Sequence, residues 1–296
     1  LQTCAYIATL ANPPAAAPLV SMSWGSDLLV DAFKNGWMRN TTRFVLRRSD
    51  WLLGDCRAVQ TTAVETFGFP QERVTLFPWG VDLAKFSPAE LLADHSSPSS
   101  SDLRNRLGWE DAFVVLSLRS WEAIYGVDVV VRAFAIAAAE EPRLRLILLS
   151  GGSLAPQIHR LLDQNDLRER VHLGGQVSQQ DLPRFYHAAD LYLSASHSDG
   201  SSVSLLEALA SGLPALVSDI PGNREWIQPG KQGWLFPAGD AAAQAQALLR
   251  AVRQPETLAP MRLAARRLAE ERADWSQNAP KLIDTYRKVL SRQVTA

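Results

Sequence analysis

Cysteine is nearly absent, with Cys4 and Cys56 the two in 296 residues. They show no metal-ligand spacing and cannot build a disulfide framework, which argues against a zinc module or a stapled secreted domain. Free thiols in a cytoplasmic protein are the expectation. Long apolar runs are also missing. The nearest candidate, Val127–Ala139, is interrupted by Asp128 and Arg132 and falls short of the ~20 residues a membrane span needs. Charge of one sign is lacking too: 30 Lys and Arg stand against 31 Asp and Glu, a net charge of −1. No field for general nucleic-acid binding results, so no nucleic-acid partner is expected. Lysine is scarce, and none occurs between Lys85 and Lys231. No G-x-G-x-x-G opens a strand–helix unit and no G-x-x-x-x-G-K-[ST] occurs, so dinucleotide and P-loop readings lose their main support. His187 and His197 have no metal-ligand spacing and read as structural. The chain starts at Leu1 rather than Met, inside an apolar segment, Cys4–Leu10, that reads as the end of a helix, and it lacks the basic start of a signal peptide. We read it as a fragment whose first strands lie upstream.

What is present is an ordinary globular composition, with 47% hydrophobic and 21% charged residues. The length suggests about two domains. Strand–helix alternation predicts parallel sheets covered on both faces. In the first half, strands are expected at Leu19–Ser23, Trp51–Leu53 and Val74–Phe77, with helices at Trp37–Arg48 and Cys56–Phe67. The stretch from Ala84 to Ser101, with its serine-rich end, reads as a linker. The second half is cleaner. Five strands are expected (Phe113–Leu118, Leu144–Leu149, Val171–Leu173, Leu191–Ser194, Ala215–Ser218), with helices near 126–139, 154–166, 178–188, 202–211 and 240–253. Polar helices fill 255–273 and 277–291.

The most informative stretch is Ser194–Glu207, S-A-S-H-S-D-G-S-S-V-S-L-L-E. A strand runs into a Ser/Gly loop, and a nearly all-apolar helix follows. Free N–H groups at a helix start favour an anion such as phosphate. Gly200, Ser201 and Ser202 could equally serve as a plain helix cap. Glu207, the one charge between Val203 and Ser218, suits hydrogen bonding to a sugar diol; an exposed helix face is the bland alternative, made costly by its apolar neighbours. Arg119 follows a strand, where its fork fits phosphate oxygens. Gln176 and Val177 follow a strand and two glycines, which suits a backbone clamp on a nucleobase edge or an ordinary turn. Asp27 could line a cleft or cap the next helix.

Asp199-x7-Glu207 resembles the E-x7-E signature of family 4 (group 1) retaining glycosyltransferases. Ser23-Trp-Gly-Ser-Asp27, Pro78-Trp-Gly-Val-Asp82, Phe86-Ser-Pro88, Arg119, Gly174-Gly-Gln-Val177 and Asp219-Ile-Pro-Gly-Asn-Arg-Glu225 with Gly233-Trp-Leu-Phe236 agree in order. The resemblance implies a GT-B fold: two α/β Rossmann-like domains facing across a cleft. Residues 1–108 would form an incomplete acceptor-side domain and linker, 109–276 the nucleotide-sugar domain, and 277–296 a helix crossing back to the first. It implies a metal-independent hexosyl transfer with retention, from a nucleoside-diphosphate sugar to a glycan, lipid or small-molecule acceptor. Peripheral membrane association is left open. Asp199 would face the donor sugar, Arg119 the diphosphate and Glu207 the ribose. Gly200–Ser202, Val203, Ser204, Gln176, Val177 and Tyr125 would complete the donor site, with no metal and no cofactor beyond the sugar nucleotide. Tyr125 stands where the family usually has lysine, which removes a second phosphate charge. A nucleotide-sugar epimerase or glycan phosphorylase of the same fold is the alternative enzyme, and a non-catalytic nucleotide-sugar-binding module the alternative outside enzymes.

Overall fold

The computed structural model describes residues 1–12, 17–89 and 100–293. Most of the serine-rich run expected as a linker, residues 90–99, lies outside the described residues. The chain divides into two compact units.

The first unit comprises Leu1–Gly80, Ser198–Ser202 and the chain from Arg272 onward. Its sheet is parallel, in the order β1 (Val20–Ser23), β2 (Trp51–Gly54), β3 (Val74–Leu76). Val20 pairs with Trp51, and Leu52 with Val74. Helices α1 (Cys4–Ala11), α2 (Ser26–Leu29), α3 (Gly36–Arg48) and α4 (Arg57–Thr61) surround it. Asn35 begins α3 by accepting the Met38 N–H, and Arg47 and Arg48 sit in its last turn, where cations suit the helix dipole. The expected single helix over Cys56–Phe67 is instead α4 followed by a wider π turn at Thr62–Thr66. Ala63, Phe67 and Phe69 then join Leu28, Leu46, Leu52 and Val59 in the apolar core. The C-terminal helix (Trp275–Gln293) belongs to this unit. Asn278 donates to the Trp79 carbonyl, and the Lys288 ammonium lies 4.8 Å from the Trp51 ring centre. At Gly80 a Cβ would stand 2.5 Å from the Cα of Trp275, so only glycine admits the helix this closely.

The second unit comprises Val81–His197 and Val203–Glu271. Helix α5 (Ser100–Leu107) opens it beyond residues 90–99. The sheet contains β4 (Phe113–Ser117), β5 (Leu144–Leu149), β6 (Val171–Gly175), β7 (Leu191–Ser194), β8 (Ala215–Ser218) and β9 (Gly233–Phe236). The order is β6-β5-β4-β7-β8-β9, all parallel. The chain thus builds outward from β4 to one edge and returns to the other side of β4. In open α/β sheets such a reversal leaves a crevice beyond the strands' carboxyl ends, here at the loops leaving β4 and β7. Strands β4, β7 and β8 are buried along their whole length, as helices on both faces require. Helices α6 (Val127–Glu140), α7 (Ala155–Gln164), α8 (Leu182–Ala188), α9 (Val203–Ala210), α10 (Pro221–Arg224), α11 (Ala241–Arg253) and α12 (Leu258–Arg272) follow in chain order. Val127, Val130, Val131 and Phe134 of α6 pack on Leu144, Leu146 and Leu148.

Two differences from expectation concern this unit. Strand β9 makes the sheet six-stranded, not five. Also, residues 81–89 and α5 group with the second unit, not the first. Side chains explain this grouping. Arg104 donates to the Ala188 carbonyl and pairs with Asp190 at 2.7 Å. Phe86 meets the Tyr186 ring edge-on at 5.7 Å, and the ring nitrogen Nε2 of His187 lies 2.7 Å from the Ser87 carbonyl oxygen. Among the described residues no helix is long and apolar enough to cross a membrane.

Candidate functional site

Strand β4 delivers Arg119 two residues past its end, half-buried. The guanidinium carbon lies 4.1 Å from the centre of the Tyr125 ring, and Nη1 donates to the Ser204 hydroxyl at 3.4 Å. Tyr125 closes a short 3-10 turn, Ala123–Tyr125, before left-handed Gly126 (φ 58°). At Gly126 a Cβ would meet the Ala195 carbonyl oxygen at 2.2 Å, which packs this turn tightly behind β7. The position that usually carries lysine in the family therefore supplies an aromatic face for Arg119 instead of a second cation.

Helix α9 places Ser204 and Glu207 on one side of the same site, since residues three apart share a helix face. The Ser204 hydroxyl lies 2.8 Å from the Tyr192 hydroxyl, and its carbonyl is 3.1 Å from the hydroxyl of Tyr186. Glu207 is only 3% exposed. Its Oε2 accepts the Tyr186 hydroxyl at 2.7 Å, and its Oε1 accepts the side-chain amide of Gln179 at 3.3 Å. Lys85 Nζ in turn donates to the carbonyl oxygen of the Gln179 amide at 3.3 Å. Burial pushes the Glu207 carboxyl above the usual carboxylate range, against the bonds from Tyr186 and Gln179 and the charge of Lys85. Burial and the Glu207 charge hold the Tyr186 phenol well above its ordinary value, so it stays a donor. A carboxylate has about four lone-pair positions. With one partner at each oxygen, Glu207 keeps acceptor capacity for a further pair of hydroxyls.

Loop Ser198–Ser202, which carries the other expected donor contacts, groups with the first unit. The Gly200 N–H donates to Asp199 Oδ1 at 3.1 Å, and the Ser201 N–H donates to Asp55 Oδ2 at 3.0 Å. These two amides were expected to be free for an anion; instead each is held by a carboxylate, because buried amides take the nearest acceptor. Asp55 follows β2 directly and is 6% exposed. Its carboxyl is pushed up to about 6, first by burial and then by the charges of Asp199 and Asp27, against hydrogen bonds from Ser201 and Cys56.

The remaining expected residues fall as follows. Val203 begins α9 and is exposed. Gln176 and Val177 lie past β6, exposed and half-buried; three residues after Gln176, Gln179 reaches Glu207. Asp27 sits in the first turn of α2 and accepts the Ser23 hydroxyl at 2.6 Å. His187 holds a backbone carbonyl, as a structural histidine does. Lys85, Gln179, Tyr186, Tyr192 and Asp55 escaped the sequence reading. The tyrosines have the spacing of ordinary core aromatics, and no local pattern ties Asp55 to a loop 146 residues away. Among the described residues no group of three or more His, Cys, Asp or Glu side chains is placed to hold a metal ion.

A parallel sheet with a strand reversal, an arginine beyond one central strand and a buried carboxylate in the helix after its neighbour define a doubly wound α/β protein with a polar site beyond its strand ends. Residues 99–281 match the family model of glycosyl transferases group 1. The chain belongs to that family. It is 32% identical over 239 residues to a D-inositol 3-phosphate glycosyltransferase of Thermobispora bispora, covering 77% of this chain and 54% of the relative. A mannosylfructose-phosphate synthase of Agrobacterium fabrum is 28% identical, over 59% of this chain and 38% of the relative. The chain thus spans about half the length, or less, of these curated relatives. Among solved structures, Anabaena Alr3699/HepE in complex with UDP-glucose superposes with a TM-score of 0.84 at 20% identity, over 97% of this chain and 77% of that one. Sucrose-phosphate synthase of Thermosynechococcus elongatus gives 0.76 at 22% identity, over 92% of this chain and 68% of that one. These likenesses show the fold, a mixed α/β GT-B fold with parallel sheets.

Proposed function

We propose that this chain carries the donor-binding part of a retaining glycosyltransferase that moves a sugar from a nucleoside-diphosphate sugar to an acceptor. The observation that carries the reading is Glu207, a buried carboxylate held by Tyr186 and Gln179 and joined through Ser204 to Arg119. A buried charge is costly unless its partners and its ligand compensate. A ribose diol is such a ligand. HepE was solved with UDP-glucose, which supports a donor of this class here.

Each residue then has a task. Glu207 accepts the two ribose hydroxyls and fixes the nucleoside. Arg119, kept in place by the Tyr125 face, bonds the diphosphate oxygens and stabilises the charge that grows there as the glycosidic C–O bond breaks. Stabilising charge where it develops is the main source of rate in such reactions. Asp199 faces the hexose and Gly200–Ser202 border it, Val203 and Ser204 add phosphate contacts at the start of α9, and Gln176 and Val177 border the base. Protein groups supply the charge stabilisation, so no metal takes part, and the acceptor is a glycan, lipid or small molecule. Incubating the protein with an α-linked sugar nucleotide and an acceptor library, and reading product anomers by NMR, tests the reading. An α-linked product with release of nucleoside diphosphate supports it. A β-linked product, or epimerised donor without transfer, contradicts it.

A further inference from the structure

Loop Ser198–Ser202 lies against Asp55, a residue with no role in the donor site proposed above. Ser201 is bonded to Asp55 twice: its N–H donates to Oδ2 at 3.0 Å and its hydroxyl to the Asp55 backbone carbonyl at 2.6 Å. Gly200 lies against the same carboxylate, and a Cβ there would stand 2.0 Å from Oδ2 and 2.3 Å from Oδ1. From the other side Gly25, at a φ of +99°, presses on the loop; a Cβ on it would lie 2.5 Å from the Gly200 nitrogen. Both glycines are thus required by close backbone approach, and Gly25 also by its positive φ. The Gly200 N–H donates to Asp199 Oδ1, which ties the Asp199 side chain to the backbone that Asp55 holds. A carboxylate buried beside two other carboxylates is a poor device for stability alone. Such groups gather where a defined geometry is used.

We propose that Asp55 is a positioning residue for the donor loop, setting the path of Gly200–Ser202 and thereby the direction of Asp199 without touching the donor itself. The proposal rests on the reading of this loop as part of the donor site. It separates two effects: Asp55 governs how the hexose meets Asp199, whereas nucleotide affinity depends on Glu207 and Arg119.

The test combines hydrogen exchange with a double-mutant cycle. In the protein without ligand, Asp55→Ala should raise amide exchange of peptides covering residues 198–202, while Asp55→Asn, which keeps an acceptor for the Ser201 N–H, should preserve protection. With sugar nucleotide, Asp55→Ala should lower kcat by about tenfold or more while the Kd for nucleoside diphosphate stays as in wild type. Gly200→Ala should be similarly costly in the wild-type background and nearly neutral when Asp55 is already alanine, because the clash partner is gone. Unchanged loop exchange in a folded Asp55→Ala protein overturns the proposal. Equal penalties for Gly200→Ala in both backgrounds overturn it as well. Should Asp55→Ala not fold, Ser201→Ala, which removes the hydroxyl bond, takes its place; loop exchange equal to wild type would then refute the proposal. Wild-type protein that shows the exchange difference but binds no sugar nucleotide refutes the donor reading of the loop, not the Asp55 contact.

Discussion

At the scale of single residues the arrangement rests on how few buried charges are tolerated and how each is held. Arg119 over Tyr125 is an aromatic support in place of a second cation. A cation–π contact is worth roughly 0.5–1 kcal/mol at partly exposed sites, so Tyr125→Leu should weaken nucleoside diphosphate binding by about two- to fivefold, while Tyr125→Phe should not. Calorimetric titration of both variants checks this; equal losses would mean that the hydroxyl, not the ring face, matters. Asp55 makes a second prediction. Its carboxyl titrates near 6 in the fold against an ordinary 3.8, mainly through burial. Between those values the folded chain holds a proton that the unfolded chain has released, so stability falls as pH rises through this window and stays lower above it. Asp55→Asn lacks that titration. Measured by urea unfolding, the variant should gain on wild type by up to about 3 kcal/mol between pH 4 and 7. Parallel stability curves would contradict it. At this scale the sequence was half legible. Glu207 stood out because it is alone in an apolar helix, and Arg119 because it follows a strand. Tyr186 and Gln179, which hold Glu207, look like any core tyrosine and any surface glutamine until the fold brings them together.

At the scale of elements the second sheet was readable because strands buried on both faces appear as apolar runs bounded by turns. Strand β9 was the miss. Gly233-Trp-Leu-Phe236 begins with a glycine and stands in the sequence reading only as a family-matching segment, with no strand expected, yet it pairs with β8 from Ala215↔Gly233 to Ser218↔Phe236. The glycine is the reason the strand can dock. A Cβ on Gly233 would stand 1.8 Å from the Ala215 carbonyl oxygen, at a φ of +152°. Gly233→Ala should therefore cost about 1–3 kcal/mol, the usual penalty for forced overpacking. Thermal unfolding would register this as a clear drop in Tm, and an unchanged Tm would show that the edge strand yields without strain. The π turn after α4 was equally hidden, since nothing in Thr62–Thr66 departs from a helical pattern. Helix α9 could be placed to within a residue, because Ser202 and Gly212 bracket it and the run between them is apolar apart from Ser204, Glu207 and Ser211.

At the scale of the whole molecule, family membership and fold agree with the reading of the motif, and the chain spans 54% of the length of its Thermobispora relative. The proposed chemistry assigns charge stabilisation to protein groups, so chelator treatment should leave turnover unchanged and added magnesium should not raise it. Loss of transfer with a chelator and recovery with magnesium would contradict the metal-independent assignment. The central claim is that Glu207 anchors a nucleoside diphosphate. The most direct measurement is calorimetric titration of wild-type protein and Glu207→Gln with UDP, GDP, ADP and dTDP. The account predicts that wild type binds at least one of them, and that the variant, with an unchanged unfolding midpoint, binds it about tenfold to a hundredfold more weakly. Charge-assisted hydrogen bonds worth roughly 1.5–3 kcal/mol set that range. Wild-type protein that binds none of the four, or a folded Glu207→Gln variant with undiminished affinity, would contradict it.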